Sequence, residues 1–403
     1  MHILYYHQHF STPQGATGTR SYEIARRLIR NNHQVTMICG SSEMGHTGLS
    51  GPCHNGLRKG MVDGIHVVEF HLPYSNKDSF LKRSITFFRF AFKSIVWALN
   101  HSYDLVFATS TPLTAGIPGI FATILRRKPF VFEVRDLWPE LPKKMGVIQN
   151  SWLLFAMHVL EWLSYHSAKT CIGLSPGIVQ GIKKQGIASE RITMVPNGCD
   201  IKSVGTIKSY DLHKDKHTAV FAGAHGIANG LDAVLDAAVV LKKMERDDIC
   251  LKFIGDGRLK PDLQKRAIDE NLNNCIFHDP IPKTKLIQEL KQADIGLMIL
   301  ANVPAFYYGT SPNKFFDYIA CGLPVINNYP GWLADLIHEH HCGCAVQPDD
   351  PDALARAIIA LVDHPVRLKK MGHNSRKLAE TKFDRDILAK KWIAWVEKTY
   401  ASK

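Results

Sequence analysis

Short apolar runs alternate with amphipathic stretches along nearly the whole chain, and this alternation predicts the fold. In the first half the runs are HILYYH, QVTMIC, HVVEF, DLVFAT, FVFEV and TCIGLS; in the second they are TAVFAG, LKFIG, CIFH, IGLMIL and PVIN. Runs this short, apolar on both faces, suit strands of parallel sheets covered by helices on either side. The spacing between them predicts helices such as Thr114–Leu125, Trp152–Ser167 and Thr17–Arg30; the last sets Ile24, Ala25, Leu28 and Ile29 on one side against Arg26, Arg27 and Arg30. The stretch Ile201–His217 is polar and aperiodic, which marks a linker. The expected fold class is α/β, with a Rossmann-like domain over 1–200, a linker over 201–217, a second such domain over 218–383 and a terminal helix over 384–403. In such sheets ligands meet the carboxyl ends of the strands.

Composition narrows this picture. The 403 residues are 45% hydrophobic and 21% charged, as in a soluble globular protein. No apolar stretch reaches the ~18 residues of a membrane span. The first strand begins at the second residue, so no signal peptide is expected. Nine cysteines are scattered, with Cys39, Cys171 and Cys250 inside apolar runs, a pattern of reduced thiols in a cytosol and not of a disulfide framework. The net charge of +12 is uneven, because residues 1–200 hold 21 Lys and Arg against 12 Asp and Glu. The first half is therefore built to meet something anionic.

Two stretches carry candidate chemistry. In GTSPNKFFDYIACGLPVI (Gly309–Ile326) a loop with Thr310 and Ser311 leads into a helix that bears Asn313, Lys314 and Asp317 in its first turns. A helix start offers free N–H groups to a diphosphate, and a carboxylate one turn on can accept bonds from a ribose diol; a plain capped helix would look the same. In STPQGATGTRSYE the glycines are spaced Gly15-x-x-Gly18, which fits neither the dinucleotide nor the Walker pattern.

The helix followed by ACGLPV, with an acidic residue five before the glycine, resembles the nucleotide-sugar motif of family 4 glycosyltransferases. VPNGCD, FAGAHGIANGLDAVLDAA, FIGDGRLKPDLQ and ADIGLMIL resemble further stretches of that family in the same order, over nearly the whole chain. STPQGATGTRSYE and VRDLWPE resemble a bacterial branch that transfers N-acetyl-L-fucosamine and related sugars in O-antigen or capsule assembly. The resemblance implies a GT-B fold, in which two Rossmann-like domains face a central cleft and the C-terminal helix returns to the first domain. It also implies a UDP-sugar donor bound by the second domain and a polyprenyl-pyrophosphate-linked glycan acceptor; no nucleic-acid partner is expected, and no metal or other cofactor, since no carboxylate pair for Mg²⁺ stands beside the expected diphosphate site. The donor site would comprise Gly255, Asp256, Gly257, Thr310, Ser311, Asn313, Lys314 and Asp317, with Gly15, Gly18 and Arg20 as the opposing lip. Asp136 and Glu140 would hold the acceptor hydroxyl, with Arg135 on the phosphate.

Departures from the family pattern are informative. The first of its paired acidic residues falls at Gly309, and its Arg and Lys for the diphosphate fall at Ala224 and Asn229. Lys314, Arg135 and Arg20 are the cations placed to replace them. Two rivals stay open: a UDP-N-acetylglucosamine 2-epimerase, and a nucleotide-sugar-binding partner without transfer activity. Asp350-Pro351-Asp352 fits a helix cap better than a metal triplet, HEHHCGC matches no zinc spacing, and Ser41–Met61 is expected to be a flexible insertion.

In the predicted helix Ser79–Leu99, Leu81, Ile85, Phe88, Phe92, Ile95 and Leu99 form a stripe expected to pack on the sheet. Phe87, Phe90 and Trp97, with Arg83 among them, would then face away, toward an anionic membrane surface or a lipid-linked acceptor. The expected location is cytoplasmic, peripheral to the inner face of the cytoplasmic membrane.

Overall fold

The computed structural model describes residues 1–75, 78–207 and 214–402. The chain divides into two compact units, one of Met1–Pro196, Gly309–Ser311 and Asp386–Lys403, the other of Asn197–Tyr308 and Pro312–Arg385. Of the expected linker, residues 208–213 lie outside the described residues.

The first unit holds strands β1 (His2–Tyr6), β2 (Gln34–Gly40), β3 (Leu57–Val62), β4 (Ile65–Phe70), β5 (Leu105–Thr109), β6 (Phe130–Val134), β7 (Thr170–Gly173) and β8 (Ile192–Met194). They form one sheet in the order β3-β4-β2-β1-β5-β6-β7-β8. All neighbours are parallel except β3 and β4. The second unit holds β9 (His217–Ala222), β10 (Ile249–Ile254), β11 (Cys275–His278), β12 (Ile295–Met298), β13 (Val325–Asn327) and β14 (Gly343–Ala345). This sheet is wholly parallel, in the order β11-β10-β9-β12-β13-β14. Each sheet grows outward in one direction from its first strand and then reverses, which opens a crevice at β1/β5 and another at β9/β12.

The apolar runs become central strands because burial on both faces rewards every side chain in them: β1, β5 and β6 are buried almost throughout. Their helices include α1 (Arg20–Arg30), α2 (Phe80–Asn100), α3 (Ile117–Arg126), α4 (Glu140–Lys144) and α5 (Ser151–Ser167). The C-terminal helix Arg385–Ala401 places Trp392 in the core of the first unit, 4.6 Å from the Phe107 ring and stacked on Tyr5.

Two expectations are corrected. The stretch Ser41–Met61 is not an unstructured insertion: it runs into β3, an antiparallel edge strand tied to β4 where Arg58 donates to Glu69 at 2.7 Å. Thr47 also donates to Glu69, at 2.6 Å. The second correction concerns α2, which is turned the other way. Phe90 is fully buried with Ala91, Ser94 and Ala98, while Leu81, Ile85, Phe88 and Phe92 of the supposed core stripe are 50–70% exposed. Phe87 stacks on Tyr74, Arg83 lies over the same Tyr74 ring, and Trp97 packs on Phe70. The reason lies in side-chain size. Both faces of α2 are apolar, and the one with Ala91, Ser94 and Ala98 lets the helix axis approach the sheet closely enough for Tyr6 to donate to the Ser94 carbonyl at 3.0 Å.

Candidate active site

In the second unit the site is built where β9 and β10 end. The loop after β9 begins at Gly223 and the loop after β10 at Gly255, and the two run against each other. A Cβ on Gly255 would lie 1.9 Å from the Gly223 oxygen, and one on Gly257 2.4 Å from the His225 oxygen. Both loops need glycine, which leaves backbone at the surface of the crevice. Backbone bonds lock them, with His225 N–H donating to the Asp256 carbonyl at 2.9 Å and Leu259 N–H to that of His225 at 3.0 Å. Lys260, which sequence reasoning missed, is buried beneath and donates to the carbonyls of Gly255 and His278 and to Asp279. Asp256 turns inward to accept from Gly257 N–H at 2.8 Å.

The helix Asn313–Ala320 delivers Lys314 to this cradle. Phe315, Phe316, Tyr318 and Ile319 bury its far side, and Ala222 N–H of β9 donates to the Tyr318 hydroxyl at 2.8 Å, which fixes its position. Lys314 then reaches across to donate to Asn229 Oδ1 at 2.5 Å, with its ammonium 4.1 Å from the centre of the Phe221 ring. Desolvation lowers its pKa to about 7. Its ammonium therefore stands at Asn229, one of the two positions where the family pattern would have supplied the cation. No side chain caps the helix start, and Asn313 Oδ1 is buried without a partner. Asp317 is buried and ion-paired with Lys283, the first residue of the helix Lys283–Gln292 that follows β11, a partner not visible in the motif. Thr310 and Ser311 group with the first unit.

His225 is the other residue that sequence reasoning missed here. It is fully buried among Phe221, Phe253 and Phe277, and neither ring nitrogen has a partner. Burial, with help from Lys260 and Lys314, holds its pKa down to about 4, so it is neutral at pH 7.

In the first unit the corresponding crevice collects side chains at the ends of β1, β5 and β6. Arg135 donates to His7 Nε2 at 3.2 Å, and its backbone N–H to Ser110 Oγ at 2.9 Å. Asp136 accepts from the Thr111 hydroxyl at 3.1 Å; burial raises its pKa, while Arg135 and Thr111 pull it back. Burial, then Arg135 and Arg83, holds His9 down to about 4. A cavity of about 210 Å³ lies here, with His9, Thr17 and Thr111 in its wall. His7 Nδ1, both amide atoms of Gln8 and Thr17 Oγ1 are buried without partners. Such orphans cost free energy unless water or a ligand meets them, and they lie at the crevices of both sheets.

Gly15 packs where a Cβ would strike Ser11 Oγ at 2.2 Å, so this turn is held by close approach, while Gly18 stays partly exposed. Arg20 is not an anion-binding tip. It is buried, donates from Nη2 and Nε to Glu133 Oε2 at 2.7 and 3.1 Å, and also donates from Nη1 to the Pro196 carbonyl and from Nη2 to the Val195 carbonyl. Burial would raise the Glu133 pKa, but the Arg20 charge and its hydrogen bonds lower it instead. Glu140 stands exposed on α4, is ion-paired with Lys144, and its charge acts on Glu161 of α5. Asp350 caps its helix, accepting from Ala353 N–H at 2.8 Å. No cluster of metal-ligating side chains is found among the described residues.

Comparison with known proteins adds to the geometry. Residues 15–198 match the glycosyl transferase 4-like domain and residues 206–378 match glycosyl transferases group 1. The probable glycosyltransferase WbjE of Pseudomonas aeruginosa is 22% identical over 339 residues, 81% of this chain and 83% of its own. The O-antigen chain mannosyltransferase C of Escherichia coli is 24% identical over 43% of this chain and 44% of its own. Among solved structures, sucrose-phosphate synthase from Thermosynechococcus elongatus matches with a TM-score of 0.76 at 16% identity over the full length of both chains. Anabaena HepE, solved with UDP-glucose, matches with a TM-score of 0.71 at 17% identity, over 99% of this chain and 100% of its own.

Proposed function

This chain is a glycosyltransferase of the GT-B type (EC 2.4), a 4-like domain followed by a group 1 domain, and we propose that it moves an amino sugar, of the N-acetyl-L-fucosamine kind, from UDP to a polyprenyl-pyrophosphate-linked glycan. Lys314 carries this reading: a single cation stands over glycine-only backbone, beside an uncapped helix start. That combination suits a diphosphate, whose two negative charges need one mobile cation and several N–H groups. UDP as the nucleotide is supported by the complex of HepE with UDP-glucose. O-antigen assembly is supported by the E. coli relative's role and by the stretches STPQGATGTRSYE and VRDLWPE.

The proposed transfer proceeds with retention. As the bond from anomeric carbon to diphosphate breaks, the acceptor hydroxyl attacks from the same face and its proton passes to the departing phosphate oxygen. Protein groups stabilise charge without forming a covalent intermediate. Lys314 meets the developing charge on the diphosphate, Arg135 assists, and Asp136 orients the acceptor hydroxyl. The reaction takes place at the inner face of the cytoplasmic membrane, where the lipid-linked acceptor resides.

A thermal-shift screen of UDP-, GDP- and dTDP-sugars tests this, since a ligand at 100 times its Kd adds about 2.7 kcal/mol of stability. UDP-sugars should stabilise the protein and the others should not; a GDP-sugar in their place would overturn the donor assignment. Product formed from donor alone, with no acceptor present, would favour the epimerase.

A further inference from the structure

Of the 25 large apolar side chains that stand exposed among the described residues, 15 lie on α2, α3 and α5. These helices are neighbours, and their C-terminal ends lie together: Arg126 of α3 donates to the Leu99 carbonyl of α2, and Thr123 of α3 to the Ser167 carbonyl of α5 at 3.4 Å. Exposed Leu81, Ile85, Phe88 and Phe92 of α2 and Ile124 and Leu125 of α3 thus stand on adjacent helices. On α5, the other neighbour of α3, Phe155 is exposed, with Trp152 and Trp162 toward the helix's two ends. Apolar faces of this extent mark an interaction site.

Cations outnumber carboxylates around this face. Neither α2 nor α3 contains an acidic residue, and the only one on α5, Glu161, is buried. Lys82 and Arg89 stand exposed on α2, Lys82 paired with Asp78, and Lys143 and Lys144 stand exposed on α4, Lys144 paired with Glu140. At the common C-terminal end lies a cavity of about 1030 Å³, lined by Arg127, Lys128, Lys169, Arg191 and Lys398 against Asp104 and Glu190. Cavity and face are continuous, since Trp162 of the face stacks on His166 of the cavity wall at 4.1 Å. Asp104 is already engaged, accepting from His2 N–H at 2.7 Å.

We infer that the α2–α3–α5 face docks on an anionic bilayer, and that the basic cavity at its edge receives lipid headgroup phosphates. Tryptophans at both ends of a helix are the usual anchors at the headgroup level. Basic residues beside an apolar face suit anionic lipid, whereas a two-fold dimer through the same face would bring two cationic rims together. No helix among the described residues is long and apolar enough to cross a membrane, so this docking is peripheral. The inference rests on the lipid-linked acceptor for its purpose but not for its test.

The test is sedimentation of the full chain with vesicles of phosphatidylcholine alone or mixed with phosphatidylglycerol, without donor or acceptor. Wild-type protein should bind the mixed vesicles at low salt and be released at high salt. The variant Ile85→Ser/Phe88→Ser/Phe92→Ser/Phe155→Ser should lose at least ~10-fold in vesicle affinity, with its melting temperature and its thermal shift by UDP-sugar retained. The second variant, Arg127→Glu/Lys128→Glu/Lys169→Glu, should lose at least ~10-fold toward mixed vesicles only. Wild-type binding by the first variant would overturn the face, and displacement by millimolar inorganic phosphate would show a free-phosphate site in place of a docking edge. A wild-type dimer that the first variant dissolves, with no vesicle binding by either, would assign the face to a second copy of the chain. Failure of the UDP-sugar shift with vesicle binding intact would instead overturn the donor assignment.

Discussion

Arg20 in the first unit and Lys314 in the second are both cations set near strand ends by the start of a helix, yet their surroundings give them opposite uses. Arg20 is buried against Glu133 and two carbonyls, so its charge is cancelled inside the fold. Lys314 is held by an amide and an aromatic ring, with no carboxylate partner among the described residues. Arg135 stands between the two: its hydrogen-bond partner His7 is kept neutral by burial, while its charge also acts on the buried carboxylates Asp136 and Glu133. A cation in a crevice is available to a ligand when its protein partners are neutral, and the motif around it does not reveal this. The partners arrive from distant parts of the chain.

The largest effect should follow from breaking the neutralised pair. Arg20→Ala leaves Glu133 charged in a site with no exposure and should cost roughly 3–5 kcal/mol of stability. The double variant Arg20→Met/Glu133→Leu should recover most of that, because it buries no charge. Chemical denaturation of the three proteins measures both numbers. Full stability in Arg20→Ala would return Arg20 to the ligand-binding cations.

Lys314→Ala should do the reverse, leaving the fold intact and removing a charge-assisted contact worth roughly 1.5–3 kcal/mol. UDP-sugar affinity should fall by about ten- to a hundredfold. Asp317→Asn adds a finer measure. Its partner Lys283 would be released, so a ribose contact predicts weaker UDP binding, whereas a purely structural pair predicts a lower melting temperature with affinity unchanged.

The contrast also shows where the chain could be read directly and where it could not. Long apolar runs such as FVFEV and QVTMIC announce their strands because burial on both faces leaves no alternation to misread. By contrast β3, LRKGMV, alternates as an edge strand does and carries two cations, while β8 and β14 have three residues each, too few for any periodicity. The α2 helix misleads because it is apolar all round; the small residues that select its buried face look unremarkable in a hydrophobicity pattern. In the site, Gly255 and Gly257 are singled out by the family resemblance and Lys314 by its place in the first turn of a helix. The Lys314–Asn229 contact spans 85 residues and the Lys283–Asp317 pair 34, so neither lies within one motif. His7, His9 and His225 were passed over because an isolated histidine beside a strand says nothing until its burial is known.

A smaller effect concerns pH. With a pKa near 7, Lys314 is protonated below that pH and neutral above it, and only the protonated form attracts a diphosphate. Bound diphosphate raises that pKa, so donor binding takes up a proton. Affinity should be flat below pH 7 and fall by up to about tenfold per unit above it, until the pKa of the complex is reached. The sugar nucleotide is the ligand to use, because its diphosphate is a diester that does not itself titrate in this range. Lys314→Arg should flatten the profile, since a guanidinium stays charged throughout.

The smallest expected effect is that of chelation. A divalent ion on a diphosphate is held by carboxylates as well as phosphate oxygens, and the carboxylates near this cradle are already engaged. Asp317 is paired with Lys283, and Asp256 accepts from Gly257 N–H. Lys314 and the open start of the Asn313–Ala320 helix must then balance the diphosphate without a metal. Assays with EDTA should retain the full rate in wild-type protein. Added Mg²⁺ should also fail to rescue Lys314→Ala, because no cluster of metal-ligating side chains is found among the described residues. A rate lost under EDTA and restored by Mg²⁺ or Mn²⁺ would mean that Asp256 or Asp317 exchanges its present partner for metal when donor binds, and that the cation at Lys314 is not sufficient.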